Sequence, residues 1–197
     1  ALPISKHATD KKTLKRFQRE VWASTRLSHP SIVAVHDTGK APDGTLYIVM
    51  EFVDGDVLQA RLKSLHVRNL RIGHNKTLQV GLQVARALAA AHDKGIFHRD
   101  LKPHNLMLVS DDDAPGGERV KILDFGIAKL APEALGAEED DEGATSTGDQ
   151  LPGTGAYMAP EQFGTYQGAT GLEGRMDVYS LGVILYLMVA GRLPLYD

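Results

Sequence analysis

The sequence predicts an α+β fold, with a strand-rich part followed by a larger helical part. Two strand-like runs at 32–36 and 45–52 are separated by turn residues at 42–44, which favour an antiparallel pair. Long helical patterns come later, at 77–94 and 177–190, rather than alternating with the strands. At 197 residues, the chain can form one large domain or two small lobes that share a cleft.

Residues around this pair of strands predict a further strand, a helix and a connector. Residues 1–4 form a short apolar stretch, as expected at the end of a strand. Apolar residues then recur at spacings of three to five positions in 9–27, and Pro30 follows the end of that helix. Residues 53–56, which read Val-Asp-Gly-Asp, predict a connector after the second strand.

The helical pattern at 77–94 has few breakers, and Gly95 stands where a left-handed residue ends a helix. The apolar spacing predicts one shared face made of Leu78, Leu82, Ala85, Leu88, Ala89 and His92. The sequence therefore predicts a long helix on which these residues share a face.

The second half of the chain predicts short elements and one buried helix. Strands are expected at 106–109 and 120–123, with an exposed loop at 111–117 between them. A flexible segment at 132–152 contains five consecutive acidic residues from Glu138 to Glu142, which repel one another. The apolar helix at 177–190 ends at Gly191 and Pro194.

Composition excludes several classes of function. The 43% hydrophobic and 24% charged content is that of a soluble globular protein, and the net charge of -3 disfavours nucleic-acid binding. There is no cysteine, so disulfides and thiolate metal sites are excluded. The longest apolar stretch, 178–190, is too short to span a bilayer.

Three motifs carry the chemistry. Residues 98–105 read His-Arg-Asp-Leu-Lys-Pro-His-Asn, 124–126 read Asp-Phe-Gly, and 159–161 read Ala-Pro-Glu. In this order they match the signature set of protein kinases. The whole chain resembles the Hanks-type Ser/Thr protein kinases, bacterial members most closely. The resemblance implies a two-lobed protein-kinase-like fold, with 1–52 as a truncated small β-rich lobe and 53–197 as the hinge and a truncated larger helical lobe.

The resemblance also implies the catalytic groups. Asp100 would accept the proton of the substrate hydroxyl, and Lys102 would lie beside the transferring phosphoryl group. Asn105 and Asp124 would bind Mg²⁺ through oxygen atoms. Lys102 and Thr154 are typical of kinases that act on serine and threonine rather than tyrosine, and Thr154 would support the catalytic aspartate.

Further residues would bind ATP if the resemblance holds. Glu20, on the predicted first helix, would form an ion pair with a strand lysine that holds the α- and β-phosphates. Met50 would be the gatekeeper, and Glu51 and Val53 would offer backbone groups to the adenine edge. Met107 would lie under the adenine ring.

Supporting roles follow from the same resemblance. His98 is expected to pack against Phe125 without taking part in chemistry, and Asp177 is expected to accept backbone N–H bonds around His98 and Arg99. Arg99 is typical of kinases that are switched on by phosphorylation of the activation loop, because an arginine there can pair with a phosphate. Candidate sites of autophosphorylation, which would involve self-association, are Thr145, Ser146 and Thr147.

The chain departs from the family pattern at both ends. A glycine-rich loop and the strand lysine are not found, and residues 1–3 resemble those that directly follow that lysine. Lys6 is a poor substitute because it precedes Glu20 by only 14 positions. The helices that normally carry an arginine partner for Glu161 are not found either. We therefore expect little or no activity from this chain in isolation.

The predicted function is a signalling Ser/Thr protein kinase that uses ATP and Mg²⁺ and acts on proteins. The alternative is a pseudokinase-like scaffold that binds nucleotide without transferring phosphate; intact Asp100, Lys102, Asn105 and Asp124 count against it. A small-molecule phosphotransferase is a third hypothesis, disfavoured by the peptide-platform segment at 153–161. We expect a cytoplasmic protein or the cytosolic part of a membrane-anchored one, with no nucleic-acid partner.

Overall fold

Three α-helices and six β-strands occur in the part of the chain that the computed structural model describes, residues 2–4, 25–42, 46–125, 154–163 and 173–194. In order they are β1 (Leu2–Ile4), β2 (Val35–Lys40), β3 (Leu46–Met50), β4 (Asp56–Val57), α1 (Leu58–Val67), α2 (His74–His92), β5 (Leu106–Ser110), β6 (Glu118–Ile122) and α3 (Glu173–Ala190). Short 3₁₀ turns occur at Pro103–Asn105, Pro115–Gly117, Thr154–Tyr157 and Pro160–Phe163. This arrangement confirms the predicted α+β class.

The first sheet has the order β1-β3-β2, and all its pairs are antiparallel. The strands predicted at 1–4 and 45–52 are confirmed as β1 and β3. The strand predicted at 32–36 is misplaced, because β2 begins only at Val35 and continues to Lys40. Ile32 instead forms a parallel bridge with Ile122 of β6, so tertiary pairing takes the first residues of the predicted strand.

The second sheet has the order β4-β5-β6 and confirms the predicted strands at 106–109 and 120–123. The edge of β6 that faces away from β5 is hydrogen-bonded by other parts of the chain. The N–H of Val33 donates to the carbonyl of Ile122 (3.0 Å), and the N–H of Ile122 donates to the carbonyl of Ser31 (2.9 Å). Further along, the buried amide of Gln83 on α2 accepts from the N–H of Val120 (2.9 Å) and donates to a carbonyl of β6, that of Glu118 (3.1 Å).

We expect Gln83→Leu to lower the free energy of unfolding by about 2–4 kcal/mol, because it leaves a buried N–H and a C=O of β6 without partners. Urea unfolding measures this loss. Gln59→Leu is the matched control: the Oε1 of Gln59 is buried and has no partner among the described residues, so the same substitution there should be neutral or stabilising. Equal losses in the two variants would contradict the role of Gln83.

The long helix α2 confirms the pattern at 77–94, and Gly95 follows it with φ +70°. The face that these six positions share is not the buried one. Leu78 is 71% exposed and Leu82 49% exposed, and the helix packs through another face: Thr77, Val80, Gly81, Gln83, Val84, Ala87, Leu88 and Ala91. Of the predicted set, Leu88 is buried. The apolar side chains of α2 lie on more than one side of the helix. Their spacing therefore does not identify the side that packs against α3 and β6.

Helix α1 was not predicted, although Leu58 and Leu62 are four positions apart and both are buried. Helix α3 begins at Glu173, four positions before the predicted start, and ends at Gly191 with φ +70°. It is not buried all round, since Val178 is 62% exposed.

The loop predicted at 111–117 is mostly exposed, with Asp111 half-buried and Ala114 buried. Most of the predicted helix at 9–27, with Glu20, lies outside the described residues, and so does the predicted flexible segment at 132–152. Among the helices in the described ranges, none is both long enough and apolar enough to cross a membrane.

Candidate active site

Asp177 on α3 holds the loop that carries the first motif. Its carboxylate is fully buried and accepts the backbone N–H of His98 at Oδ2 (2.9 Å) and that of Arg99 at Oδ1 (2.7 Å). This confirms the predicted contacts. His92, on α2, adds a third bond: its Nε2 lies 2.8 Å from Asp177 Oδ2 and donates, because a carboxylate can only accept. Arg99 is held there with φ +63°, a conformation that a non-glycine residue rarely adopts.

His98 is a structural residue, as predicted. Its ring is buried and lies 5.0 Å, centroid to centroid, from the ring of Phe125. The N–H of Asp100 donates to His98 Nδ1 (3.3 Å), so Nε2 carries the proton and donates to the carbonyl of Leu123 (2.9 Å). Burial lowers the pKa of His98, although Asp177 opposes this, and the ring is neutral in agreement with these bonds. The histidine therefore ties the first motif to the second.

Asp100, Lys102 and Asn105 are brought together where the loop ends in the 3₁₀ turn Pro103–Asn105. Lys102 Nζ lies 2.9 Å from Asp100 Oδ2, and both side chains are only partly exposed. The buried Asn105 donates through Nδ2 to the backbone carbonyl of Asp100 (2.9 Å). The backbone of Asp100 is thus held by two hydrogen bonds, one from Asn105 to its carbonyl and one from its N–H to His98. Its carboxylate lies beside the Lys102 ammonium group.

Asp124 follows β6 with φ +55° and lies close enough to this cluster to interact with it electrostatically. Burial is the main cause of the raised pKa of Asp124; Asp100 raises it further, while the positive charge of Lys102 opposes the shift. Two neighbouring carboxylates in a partly buried place favour a bound cation. Asn105 uses its amide nitrogen for Asp100, so its carbonyl oxygen remains the group that can bind a metal. One carboxylate and one amide oxygen fit Mg²⁺, which keeps several waters.

The predicted nucleotide-binding residues lie around the end of β3. Met50 is its last residue and Val53 follows in the connector, both half-buried. The backbone N–H of Glu51 already donates to the carbonyl of Ala34 (2.8 Å), so the carbonyl of Glu51 is the backbone group it can offer to a ligand. Met107 lies on β5 and is half-buried.

Lys121 is a residue that sequence reasoning missed. It lies on β6 opposite Met107, and its Nζ is 2.6 Å from Glu51 Oε1. The other carboxylate oxygen of Glu51 accepts the N–H of Ala34 (3.2 Å). Burial of the carboxyl acts to raise the pKa of Glu51, but the bonds from Lys121 and Ala34 outweigh it and lower that pKa. In the structure the connector begins at Glu51, directly after β3, so the ion pair links the connector to the strand that leads into Asp124.

The segment 154–163 is fixed against the same loop. Gln162 donates through Nε2 to the carbonyl of Arg99 (3.0 Å) and accepts the N–H of Ala159 (3.0 Å). Ser180 Oγ of α3 donates to the carbonyl of Tyr157 (2.8 Å). Sequence reasoning missed Gln162, since a glutamine next to the third motif carries no distinctive signal.

Not every predicted site residue can be placed. For Thr154 the structure gives the backbone, at the start of the turn Thr154–Tyr157. Glu20 and the three candidate phosphorylation sites at 145–147 lie outside the described residues. Their roles stay predictions.

Known proteins resemble this chain over nearly its whole length. The chain is 40% identical over 195 residues to "Serine/threonine-protein kinase pkn3" of Myxococcus xanthus. The aligned region covers 98% of this chain and 33% of that protein. It is 42% identical over 179 residues to "Serine/threonine-protein kinase PknJ" of Mycobacterium tuberculosis, covering 91% of this chain and 27% of that protein. The chain thus spans about a third or less of the length of these curated relatives.

Solved structures agree with these sequence relatives. The crystal structure of the Mycobacterium tuberculosis PknI kinase domain has a TM-score of 0.65 and 30% identity, with 96% of this chain and 62% of that chain covered. The small antiparallel sheet and the helical part therefore form a protein-kinase-like fold. The family described as "Protein kinase domain" matches residues 3–197, and the chain belongs to this family of protein kinases, among relatives that are bacterial Ser/Thr kinases.

Proposed function

We propose that this chain is the part of a Ser/Thr protein kinase domain that transfers the γ-phosphate of ATP to serine and threonine hydroxyls of proteins. The observation that carries the proposal is the cluster of Asp100, Lys102 and Asn105 on one loop, with Asp124 close by. Residues 1–52 would belong to the small lobe, and 53–197 would form the hinge and the larger lobe. The proposed setting is a bacterial signalling protein, in the cytosol or facing it.

Each residue of the cluster has a proposed task. The Asp100 carboxylate accepts the proton of the attacking hydroxyl, and Lys102, which already lies beside it, places positive charge next to the phosphoryl group. Asn105 and Asp124 hold Mg²⁺, which would supply positive charge that neutralises the phosphate oxygens. The carbonyl of Glu51 and the N–H of Val53 orient the adenine edge between Met50 and Met107.

Activation by phosphorylation is part of the proposal. The Arg99 Nε is buried and has no hydrogen-bond partner within the described part of the chain. An arginine next to Asp100 can bind a phosphate, which supports autophosphorylation at 145–147.

The test is transfer of labelled γ-phosphate from ATP to a generic basic protein and to the kinase itself, with and without Mg²⁺. The longest natural chain that contains this sequence should be used. Transfer to serine and threonine only, dependent on Mg²⁺, supports the proposal. A folded protein that binds Mg-ATP and transfers no phosphate would favour the scaffold alternative.

Asp124→Asn is expected to raise the melting temperature of the ligand-free protein at neutral pH. The raised pKa means that the fold prefers the neutral carboxyl, so stability contributed by Asp124 is present at low pH and is lost as the pH rises through that pKa. Asparagine removes the cost of burying an ionised carboxylate. The difference in melting temperature between the variant and the unmodified protein should therefore vanish at acidic pH. Thermal unfolding against pH measures it.

The same variant should lose the stabilisation that Mg-ATP provides, which is about 2.7 kcal/mol at a ligand concentration 100 times Kd. Asp112→Asn, in the exposed loop, is the control and should change neither quantity. A variant that is still stabilised by Mg-ATP would contradict the assignment of Asp124 as a metal ligand.

Lys121→Met is expected to raise KM for ATP about 3- to 10-fold, with a smaller effect on kcat, because it frees the carboxylate of Glu51 and loosens the connector. Nucleotide titration and steady-state kinetics measure the two effects. The control is Lys40→Met, at an exposed position of β2. An unchanged KM would show that the ion pair does not position the connector.

A further inference from the structure

One glutamine side chain joins the segment 154–163 to the loop 98–105. Gln162 is half-buried and bonded at both ends of its amide. Its Oε1 accepts the N–H of Ala159 (3.0 Å), and its Nε2 donates to the carbonyl of Arg99 (3.0 Å). The backbone N–H of Gln162 also donates to the carbonyl of Ala159 (2.8 Å), so the glutamine is fixed to its own segment at two points.

The two partners of Gln162 determine the orientation of its amide, and together they require an amide. A backbone N–H can only donate, so it needs the oxygen, and a carbonyl can only accept, so it needs the nitrogen. A carboxylate has no donor for the carbonyl of Arg99, and an apolar side chain serves neither group. Gln162→Glu therefore removes one of the two bonds selectively, whereas Gln162→Leu removes both.

The bond to Arg99 acts on the peptide unit that directly precedes Asp100. This planar unit contains the carbonyl of Arg99 and the N–H of Asp100. The carbonyl is bonded to Gln162, and the N–H is bonded to Nδ1 of His98 (3.3 Å), so both polar groups of the unit are held. Arg99 has φ +63°, a conformation that persists only where the surroundings enforce it. Gln162 is therefore one of the groups that keep the backbone of Asp100 in place.

Helix α3 holds the loop and the segment through two other side chains. Asp177 accepts the backbone N–H of Arg99 (2.7 Å), and the buried Ser180 donates through Oγ to the carbonyl of Tyr157 (2.8 Å). Loop, segment and helix are thus bonded in pairs, and Gln162 joins the loop directly to the segment. Displacement of the segment from α3 would carry Gln162 away from the carbonyl of Arg99.

We propose that Gln162 is a positioning residue for catalysis: it orients the peptide unit before Asp100 while the segment 154–163 is seated on α3. The inference rests on the proposed function, in which Asp100 is the general base and the segment receives the protein substrate. It goes beyond that function, because it makes the position of the base depend on the segment that receives the substrate. Gln162 acts through the carbonyl of Arg99 and not on the reacting atoms.

A purely structural role for Gln162 is the competing explanation, and one substitution separates the two. If Gln162 only stabilises its own segment, the bond from Ala159 is the important one, and Gln162→Glu keeps this bond. If Gln162 positions Asp100, the bond to the carbonyl of Arg99 is the important one, and Gln162→Glu loses it. The carboxylate variant should therefore disturb the loop and leave the segment in place.

Hydrogen exchange followed by mass spectrometry tests the coupling without reference to catalysis, in the longest natural chain that contains this sequence. In Gln162→Glu, peptides that cover 98–105 should exchange about 2- to 10-fold faster, the factor expected for the loss of one hydrogen bond. Peptides that cover 158–163 should be unchanged in this variant, whereas Gln162→Leu should accelerate exchange in both regions. Gln79→Glu makes the same change at a half-buried position of α2 and is the matched control, expected to alter neither region.

Steady-state kinetics tests the effect on catalysis. Gln162→Glu and Gln162→Leu should both lower kcat about 5- to 50-fold with KM for ATP unchanged, because a displaced base slows transfer and not nucleotide binding. In the Asp100→Asn background, the same substitutions should cause little further loss, since a positioning residue has no effect once the group that it positions is removed. A structural role would give equal losses in both backgrounds.

Failure of this inference and failure of the proposed function give different results. Unchanged exchange of 98–105 in Gln162→Glu overturns the inference, and so does an equal loss of kcat with and without the Asp100 carboxylate. If the unmodified protein transfers no phosphate, the proposed function fails. The exchange measurement then still decides whether Gln162 couples the segment to the loop.

Discussion

Asp100→Asn is expected to lower the rate of phosphoryl transfer by about 10²- to 10⁴-fold, the usual contribution of a general base. Asparagine has nearly the same shape and keeps an oxygen next to Lys102, but it cannot accept the substrate proton. The loop should stay in place, because it is held through backbone groups: Asn105 bonds the carbonyl of Asp100, and His98 accepts its N–H.

The measurement compares kcat and KM for both substrates in the longest natural chain. The loss should fall on kcat, with nucleotide binding and thermal unfolding unchanged. Asp113→Asn, at an exposed position in the loop between β5 and β6, serves as the control. If the Asp100 variant transfers phosphate at the unmodified rate, another group accepts the proton. The cluster around Asp100 would then no longer support the proposed function.

Asp177→Ala is expected to lower the free energy of unfolding by about 3–5 kcal/mol, the cost of removing one partner from a buried charged network. The carboxylate is fully buried and serves three donors, the backbone N–H groups of His98 and Arg99 and the ring of His92. Alanine would leave these donors without an acceptor. It would also free Arg99 from its left-handed conformation and so displace the neighbouring Asp100.

Urea unfolding and steady-state kinetics test this together, because the variant should lose both stability and kcat. Asp93→Ala is the matched control: Asp93 is exposed directly after α2 and should change stability by no more than about 0.5 kcal/mol. A loss of stability in the Asp177 variant no greater than in the control would show that the loop is held by other contacts.

Local motifs were predicted well because their chemistry is contained in a few adjacent residues. The loop 98–105 holds a carboxylate, a cation and an amide within eight positions, and the structure brings these three groups into direct contact. The contact between His98 and Phe125 and the bonds of Asp177 were also predicted, from the family pattern. For these residues, their place in the sequence motifs was enough to predict their contacts.

Residues that act from a distance were missed. Lys121 contacts Glu51 from 70 positions away, His92 contacts Asp177 from 85, and Gln162 contacts Arg99 from 63. Each is a common residue type on an ordinary helix, strand or turn, so no local signal marks it.

The sequence by itself determined the α+β class, the existence of most elements and the chemical groups of the candidate site. It did so because turn residues, apolar period and short motifs act over a few positions. Only the tertiary structure decided that Ile32 pairs with β6, that α2 buries Val80 and Val84 instead of Leu78 and Leu82, and that Arg71 is fixed against α3. These outcomes depend on which surfaces meet. An apolar residue is equally suited to several neighbours until the fold brings one of them close.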